Sequence, residues 1–130
     1  MSSLTLLGLY LNSLTGSIPK SFGQLSRLTA WSMRQNYLTG SLPVELRNLT
    51  SLQLARLYEN SLSGSIPIKF GHLKSLQQFE ARNNNFSEMI PTKLSNCSAF
   101  GLLRLQGNQL SEGIPPQLGR LHFLAELHLE

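Results

Sequence analysis

Apolar residues in this chain recur with a step of 24 positions, without insertion or deletion. Written in lines of that length, the fourth position reads Leu4, Leu28, Leu52, Leu76, Phe100 and Leu124. The seventh reads Leu7, Trp31, Ala55, Phe79, Leu103 and Leu127, and the ninth Leu9, Met33, Leu57, Ala81, Leu105 and Leu129. Three further columns run Leu14, Leu38, Leu62, Phe86, Leu110; Ile18, Leu42, Ile66, Ile90, Ile114; and Phe22, Leu46, Phe70, Leu94, Leu118. The seventh and ninth positions are two apart, the spacing of one face of a β-strand. One line of this length cannot bury its apolar side alone, so a fixed period predicts stacked coils sharing a continuous core. The pattern predicts one short strand per line, paired in parallel with its neighbours. Side-chain size agrees: Trp31, Ala55 and Phe79 follow one another in one column, and the small Ala leaves room for two aromatics. The lines are 1–24, 25–48, 49–72, 73–96 and 97–120, with a partial sixth at 121–130, and a single domain is expected over 1–130.

The polar positions keep the same step. The stretch "NSLTGSIP" at residues 12–19 has the composition of a surface loop, yet it returns as "NYLTGSLP" from Asn36, "NSLSGSIP" from Asn60, "NNFSEMIP" from Asn84 and "NQLSEGIP" from Asn108. Asn12, Asn36, Asn60, Asn84 and Asn108 come just after the strand, where the chain turns inward. A buried turn leaves backbone N–H and C=O groups in need of partners, and an Asn amide supplies both donors and an acceptor. The expectation is an asparagine ladder in which each amide serves the turn of its own coil and of the next. Pro19, Pro43, Pro67, Pro91 and Pro115 fix φ and push the preceding residue into an extended conformation. That residue belongs to the Ile/Leu column, so the segment is predicted extended, polar outside and apolar inside.

The line LxxLxxLxLxxNxLxGxIPxxLGx resembles the plant-specific class of leucine-rich repeat over the whole chain, in five in-phase copies. The resemblance implies an α/β-type repeat solenoid, mostly strand and loop. Its coils form a right-handed superhelix with a parallel inner sheet, and the LxGxIP phrase makes a second short strand. Such arrays are the ectodomains of receptor-like kinases and receptor-like proteins, and also secreted polygalacturonase inhibitors. The glycine of LxGxIP is present as Gly16, Gly40 and Gly64 but is replaced by Glu88 and Glu112. A position that needs φ > 0 resists Glu, so either the requirement or the loop is expected to differ there. The cysteine-paired caps of the family are not among these residues. Met1 stands in a Leu column and Glu130 falls inside a strand motif, so a stretch of a longer array is expected.

The outward positions of the strand carry the candidate chemistry. The sixth column reads Leu6, Ala30, Leu54, Gln78, Leu102, Glu126, and the eighth Gly8, Ser32, Arg56, Glu80, Arg104, His128. The tenth reads Tyr10, Arg34, Tyr58, Arg82, Gln106, and the eleventh Leu11, Gln35, Glu59, Asn83, Gly107. Column neighbours on adjacent strands are about 4.8 Å apart, so Arg56, Glu80 and Arg104 are expected to form an ionic ladder, with Tyr58 between Arg34 and Arg82. Exposed ion pairs are worth about 0–1 kcal/mol and serve solubility, whereas Arg and Tyr on a rigid sheet suit a binding surface. The candidate ligand-binding residues on the concave sheet are Tyr10, Arg34, Arg56, Tyr58, Glu59, Glu80, Arg82, Asn83, Arg104, Gln106 and His128. Some peptide-sensing relatives carry two Arg flanking one residue on a strand; no strand here does, and that specificity is not carried over.

Composition narrows the rest. The charge of +4 comes from 11 Lys and Arg against 7 Asp and Glu, scattered singly, without the clustered basic face of a nucleic-acid binder. The single Cys97 allows no intramolecular disulfide and stands in a Leu column, as a small buried hydrophobe would. His72, His122 and His128 occupy three different repeat positions and do not converge on a metal or base. No GxSxG, GxGxxG, HRD or DFG motif occurs, so no catalytic residue and no cofactor are expected. No apolar run is long enough to cross a membrane, and "MSSLTLLGLY" lacks the charged start and cleavage site of a signal peptide. Sequons at Asn48, Asn85 and Asn96 are candidate glycosylation sites. With the resemblance they point to a cell-surface or extracellular binding scaffold for a peptide or protein ligand, with a co-receptor as second partner and any kinase domain in a longer parent. A secreted polygalacturonase-inhibitor-like protein and a structural spacer without a site of its own are the alternatives.

Overall fold

The computed structural model describes residues 3–129; Met1 and Glu130, whose columns were read above, lie outside that range. Strands β1 (Leu6–Gly8), β3 (Ala30–Ser32), β5 (Leu54–Arg56), β7 (Gln78–Glu80), β9 (Leu102–Arg104) and β10 (Glu126–His128) form one six-stranded sheet in that order. Every pairing is parallel, with Leu7 opposite Trp31, Trp31 opposite Ala55, Ala55 opposite Phe79, and Phe79 opposite Leu103. The register is the 24-residue step of the sequence. The LxGxIP phrase makes the second set of strands: β2 (Thr15–Ser17) pairs with β4 (Tyr37–Thr39), and β6 (Ser63–Gly64) with β8 (Asn85–Phe86). In the fifth coil this strand is not formed, although Gln109 N and Ser111 N still donate to Phe86 O and Glu88 O at 2.8 and 2.9 Å.

The side of each coil opposite the main sheet is a single 3-10 turn: Lys20–Gln24, Val44–Asn48, Ile68–His72, Thr92–Asn96 and Pro116–Arg120. Each follows one of the recurrent prolines, which are extended with φ between −59° and −68°. Between sheet and turns lies the core. Trp31, Phe79, Phe86 and Phe100 are fully buried within it, each contributing about 1.5–3 kcal/mol of apolar transfer. Trp31 meets Phe22 edge-to-face at 6.1 Å and Phe79 meets Phe70 in the same way at 5.9 Å. Ala55 sits between these pairs in the sheet, the small residue separating two aromatic contacts. Leu14 and Ile114, whose column partners are buried or, at Leu110, partly buried, are exposed in the first and last full coils, where a neighbouring coil covers one side only.

The recurrent Asn side chains bridge the coils, but in the direction opposite to expectation: each reaches back to the preceding coil. Asn84 Nδ2 donates to Ala81 O of its own turn at 3.2 Å and to Leu57 O of the preceding coil at 3.0 Å, while its Oδ1 accepts from Leu62 N at 3.0 Å. Asn36, Asn60 and Asn108 repeat this pattern through Leu9 O, Met33 O and Ala81 O, with Oδ1 accepting from Leu14 N, Leu38 N and Phe86 N. The cause is the Cα position: the Asn follows its strand, and the carbonyl left open by the turn within reach belongs to the coil behind. Asn12, with no earlier coil among the described residues, is exposed and bonds only Leu9 O and Tyr10 O.

The residue before each ladder Asn is left-handed: Leu11, Gln35, Glu59, Asn83 and Gly107 have φ between 54° and 70°. Only Asn and Gly take this conformation cheaply, so neither Leu nor Glu announced it. The LxGxIP glycine position is left-handed as well, and Glu88 (64°) and Glu112 (63°) adopt it too. The requirement persists and the Glu residues bear it, at about 1–2 kcal/mol each.

Cys97 is buried, and its Sγ donates to Phe70 O at 3.3 Å. Burial pushes the thiol from 9.0 to about 11, partly offset by the nearby Lys74 ammonium. The unfolded thiol therefore ionises first. Its contribution to stability is complete below pH 9.0 and falls as pH rises towards about 11. Urea midpoints taken at about pH 8 and about pH 10.5 are expected to drop less for Cys97→Ala than for the parent chain. Asn84→Ala strands buried backbone groups of two coils and is expected to cost about 3 kcal/mol in urea unfolding followed by Trp31 fluorescence, against less than about 0.5 kcal/mol for Asn12→Ala.

Candidate functional site

The open face of the main sheet is built from the sixth, eighth, tenth and eleventh positions of each line. Two linked arrangements organise it. The first is a stack along the tenth column. The Arg34 guanidinium lies 4.4 Å from the Tyr10 ring centroid and 5.7 Å from that of Tyr58, and Arg82 covers the other side of Tyr58 at 3.6 Å. Parallel strands at equal register make this possible, because they set alternate Tyr and Arg one strand apart. Each such contact is worth about 0.5–2 kcal/mol, rising with desolvation. Arg34 also donates from Nη1 to Gln35 Oε1.

The second is centred on Glu80. The expected ladder of exposed pairs needs correction here, since the Glu80 side chain is only 6% exposed and three arginines lie over it. Arg56 Nε bonds Oε1 at 2.9 Å, Arg104 Nη1 bonds Oε2 at 3.2 Å, and Arg82 Nη1 stands 3.7 Å from Oε2. The contact from Arg82 comes from the same coil, two positions past Glu80 and beyond the end of β7, and was not legible in the column pattern. Burial without partners makes a carboxylate very costly; here charge-assisted hydrogen bonds compensate it. The network continues through Arg104 Nη2 to Glu126 Oε2 at 2.9 Å, and Arg82 Nη2 reaches Glu59 Oε1 at 3.4 Å. Arg104 is held further above its ordinary value, first by the hydrogen bond to Glu126 and then by the charge of Glu80.

The remaining candidates are more peripheral. His128 Nε2 is 3.6 Å from Glu126 Oε2, a pair that is ionic only when the imidazole is protonated. Gln106 is half-buried, and its Oε1 has no hydrogen-bond partner. Asn83 is exposed at the lip of the face, and its Oδ1 leaves no room for a Cβ on Gly107. Two participants were missed. Glu126 meets Arg104 along a diagonal, and Ser32 lies on the face with its Oγ inaccessible and unpartnered. Asn48 and Asn96 are exposed at the ends of 3-10 turns, and Asn85 is exposed in β8 on the flank; none lies on the main sheet. Among the described residues, no helix is long and apolar enough to cross a membrane.

Removing the central charge tests the network. Glu80→Gln is expected to lower stability by about 1–3 kcal/mol, because three arginines lose a shared acceptor while retaining access to water. Glu126→Gln, at a half-exposed pair, is expected to cost less than about 0.5 kcal/mol in the same urea titration.

A leucine-rich repeat family model matches residues 3–25 and 102–121. Over 46 residues the chain is 48% identical to the leucine-rich repeat receptor-like serine/threonine-protein kinase RGI4 of Arabidopsis thaliana, a match spanning 35% of this chain and 4% of that protein. Among solved structures, the plant peptide hormone receptor RGFR1 in complex with RGF2 superposes with a TM-score of 0.97 at 37% identity, over 98% of this chain and 20% of the receptor chain. The Arabidopsis receptor kinase HAESA, in complex with the peptide hormone IDA and the co-receptor SERK1, gives 0.93 at 36% identity over 98% of this chain and 22% of that one. The ectodomain of the receptor kinase SOBIR1 from Arabidopsis thaliana gives 0.86 at 28% identity, covering 97% of this chain and 66% of that one. The chain thus spans about a fifth of the first two receptor chains. With one parallel strand, one ladder Asn and one 3-10 turn per 24-residue coil, the chain is a leucine-rich-repeat array, similar along nearly its whole length to plant receptor ectodomains.

Proposed function

We propose that the open face of the main sheet docks a peptide or protein ligand, as a section of the extracellular part of a receptor-like kinase or receptor-like protein. The observation that carries this reading is the Tyr10–Arg34–Tyr58–Arg82 stack, four binding-prone side chains held in fixed register across four adjacent coils. Preorganised aromatic and guanidinium groups lose little conformational freedom on binding, which raises affinity without new contacts. The similarity to receptors found with RGF2 and with IDA and SERK1 supports a peptide ligand and a co-receptor as partners. The exposed sequons at Asn48, Asn85 and Asn96 lie off the main sheet, where glycans leave this face open, in keeping with an extracellular location. In this reading the chain binds and performs no chemistry.

A spacer role is favoured by one observation, the self-neutralised Glu80 network, which uses the charges of the middle coils internally. Selection of a phage-displayed dodecapeptide library on the immobilised chain separates the two. Enriched peptides are expected to lose about tenfold or more in affinity with Tyr58→Ala and Arg82→Ala and to be unaffected by Lys93→Ala on the 3-10 side. No enrichment, or binding indifferent to the two sheet variants, overturns the docking reading in favour of the spacer.

A further inference from the structure

The charges on the open face are unevenly committed. Arg56, Arg82 and Arg104 all share Glu80, with Glu59 and Glu126 as further partners. Arg34 is the one arginine of this face that takes part in no ion pair among the described residues. It is held between two tyrosines and hydrogen-bonded only to a neutral Gln35. A guanidinium fixed in place without a carboxylate has N–H donors to offer one.

Arg34 borders a cavity of about 300 Å³ on the first three coils. Its other walls include Tyr10 and Arg56, its floor includes Gly8 and Ser32, and Leu6, Ala30 and Leu54 line its apolar side. Gly8 opens the floor because it adds no side chain where the following coils carry Ser32, Arg56 and Glu80. The Ser32 hydroxyl has no hydrogen-bond partner there, and an unmet buried polar group costs about 1–3 kcal/mol. The cavity therefore joins an apolar wall, an unsatisfied hydroxyl and an unneutralised cation. The middle coils offer no such combination, because Glu80 occupies their arginines.

We infer that the first three coils form the ligand's acidic subsite, which takes an internal Asp or Glu side chain of an extended peptide on Arg34 and a branched apolar side chain against Leu6, Ala30 and Leu54. This inference rests on the docking reading above and assigns that ligand its chemistry. In an extended peptide, side chains two residues apart share a face, so the acidic and apolar residues stand in that relation. The coils around Glu80 then act as a closed platform whose arginines are already paired and offer a second anion no site.

The test uses two capped peptides, Ac-Gly-Leu-Ala-Glu-Gly-NH2 and its Gln analogue, titrated into the labelled chain by proton–nitrogen NMR. The Glu peptide is expected to shift the Arg34 Nε–Hε and Ser32 amide signals saturably, and the Gln peptide to bind about tenfold more weakly. Arg34→Glu is expected to reverse the preference towards the Lys analogue, with Trp31 fluorescence reporting that the variant is folded; Lys93→Ala on the 3-10 side is expected to leave it unchanged. Equal binding of the Glu and Gln peptides, shifts centred on Arg104, or no shift with either peptide overturns the inference. So does binding confined to Ac-Gly-Leu-Ala-OH, whose only carboxylate is terminal. The dodecapeptide selection distinguishes the two levels. Peptides that dock on the sheet without a preferred acidic position overturn the subsite alone, and the absence of sheet-binding peptides overturns both.

Discussion

The array depends on the amide that closes each inward turn. A parallel sheet of three-residue strands has little pairing energy of its own, and the chain must leave every strand through a turn lying against the core. The ladder Asn donates to two carbonyls, one in its own turn and one in the coil behind, and accepts from one N–H of that preceding coil. Coil spacing is thereby set by hydrogen-bond length as well as by apolar packing. A directional constraint of this kind favours one register over a slide of one residue, which apolar contacts alone tolerate poorly but do not forbid. The left-handed residue before each Asn aims the amide inward, and its backbone strain is the cost of this geometry.

Once register is set, the open face follows. Columns of the sequence become rows of side chains about 4.8 Å apart. Alternate Tyr and Arg in the tenth column stack, and a single Glu in the eighth gathers the arginines around it. The two halves of the face come out chemically different although the backbone repeats. In the middle coils a buried carboxylate consumes the positive charge, while on the first coils Gly8 and Ser32 leave space beside an arginine that no carboxylate among the described residues pairs with.

Much of this was legible in the residues. The 24-residue step, the inward columns and the recurrent Asn and Pro are repeated demands that every coil must meet in the same way, so five copies state them redundantly. The Tyr58 position between Arg34 and Arg82 followed from the same register. The burial of Glu80 did not follow, because an outward position on a strand reads as exposed until the three side chains that cover it are counted, and one of them comes from its own coil. Nor did the backward reach of the ladder, which depends on where a turn carbonyl lies in space.

The residues alone dictate the solenoid: its period, its parallel strand per coil, its apolar columns and the polar residue that closes each turn. These are properties of one repeat and its image, and periodicity displays them directly. Which charges pair with one another was settled in three dimensions. That distinction rests on contacts between residues in different coils and different columns, such as Arg104 with Glu126 and Arg82 with both Glu59 and Glu80. Side-chain reach across a twisted sheet fixes those contacts, and no one-dimensional spacing encodes it.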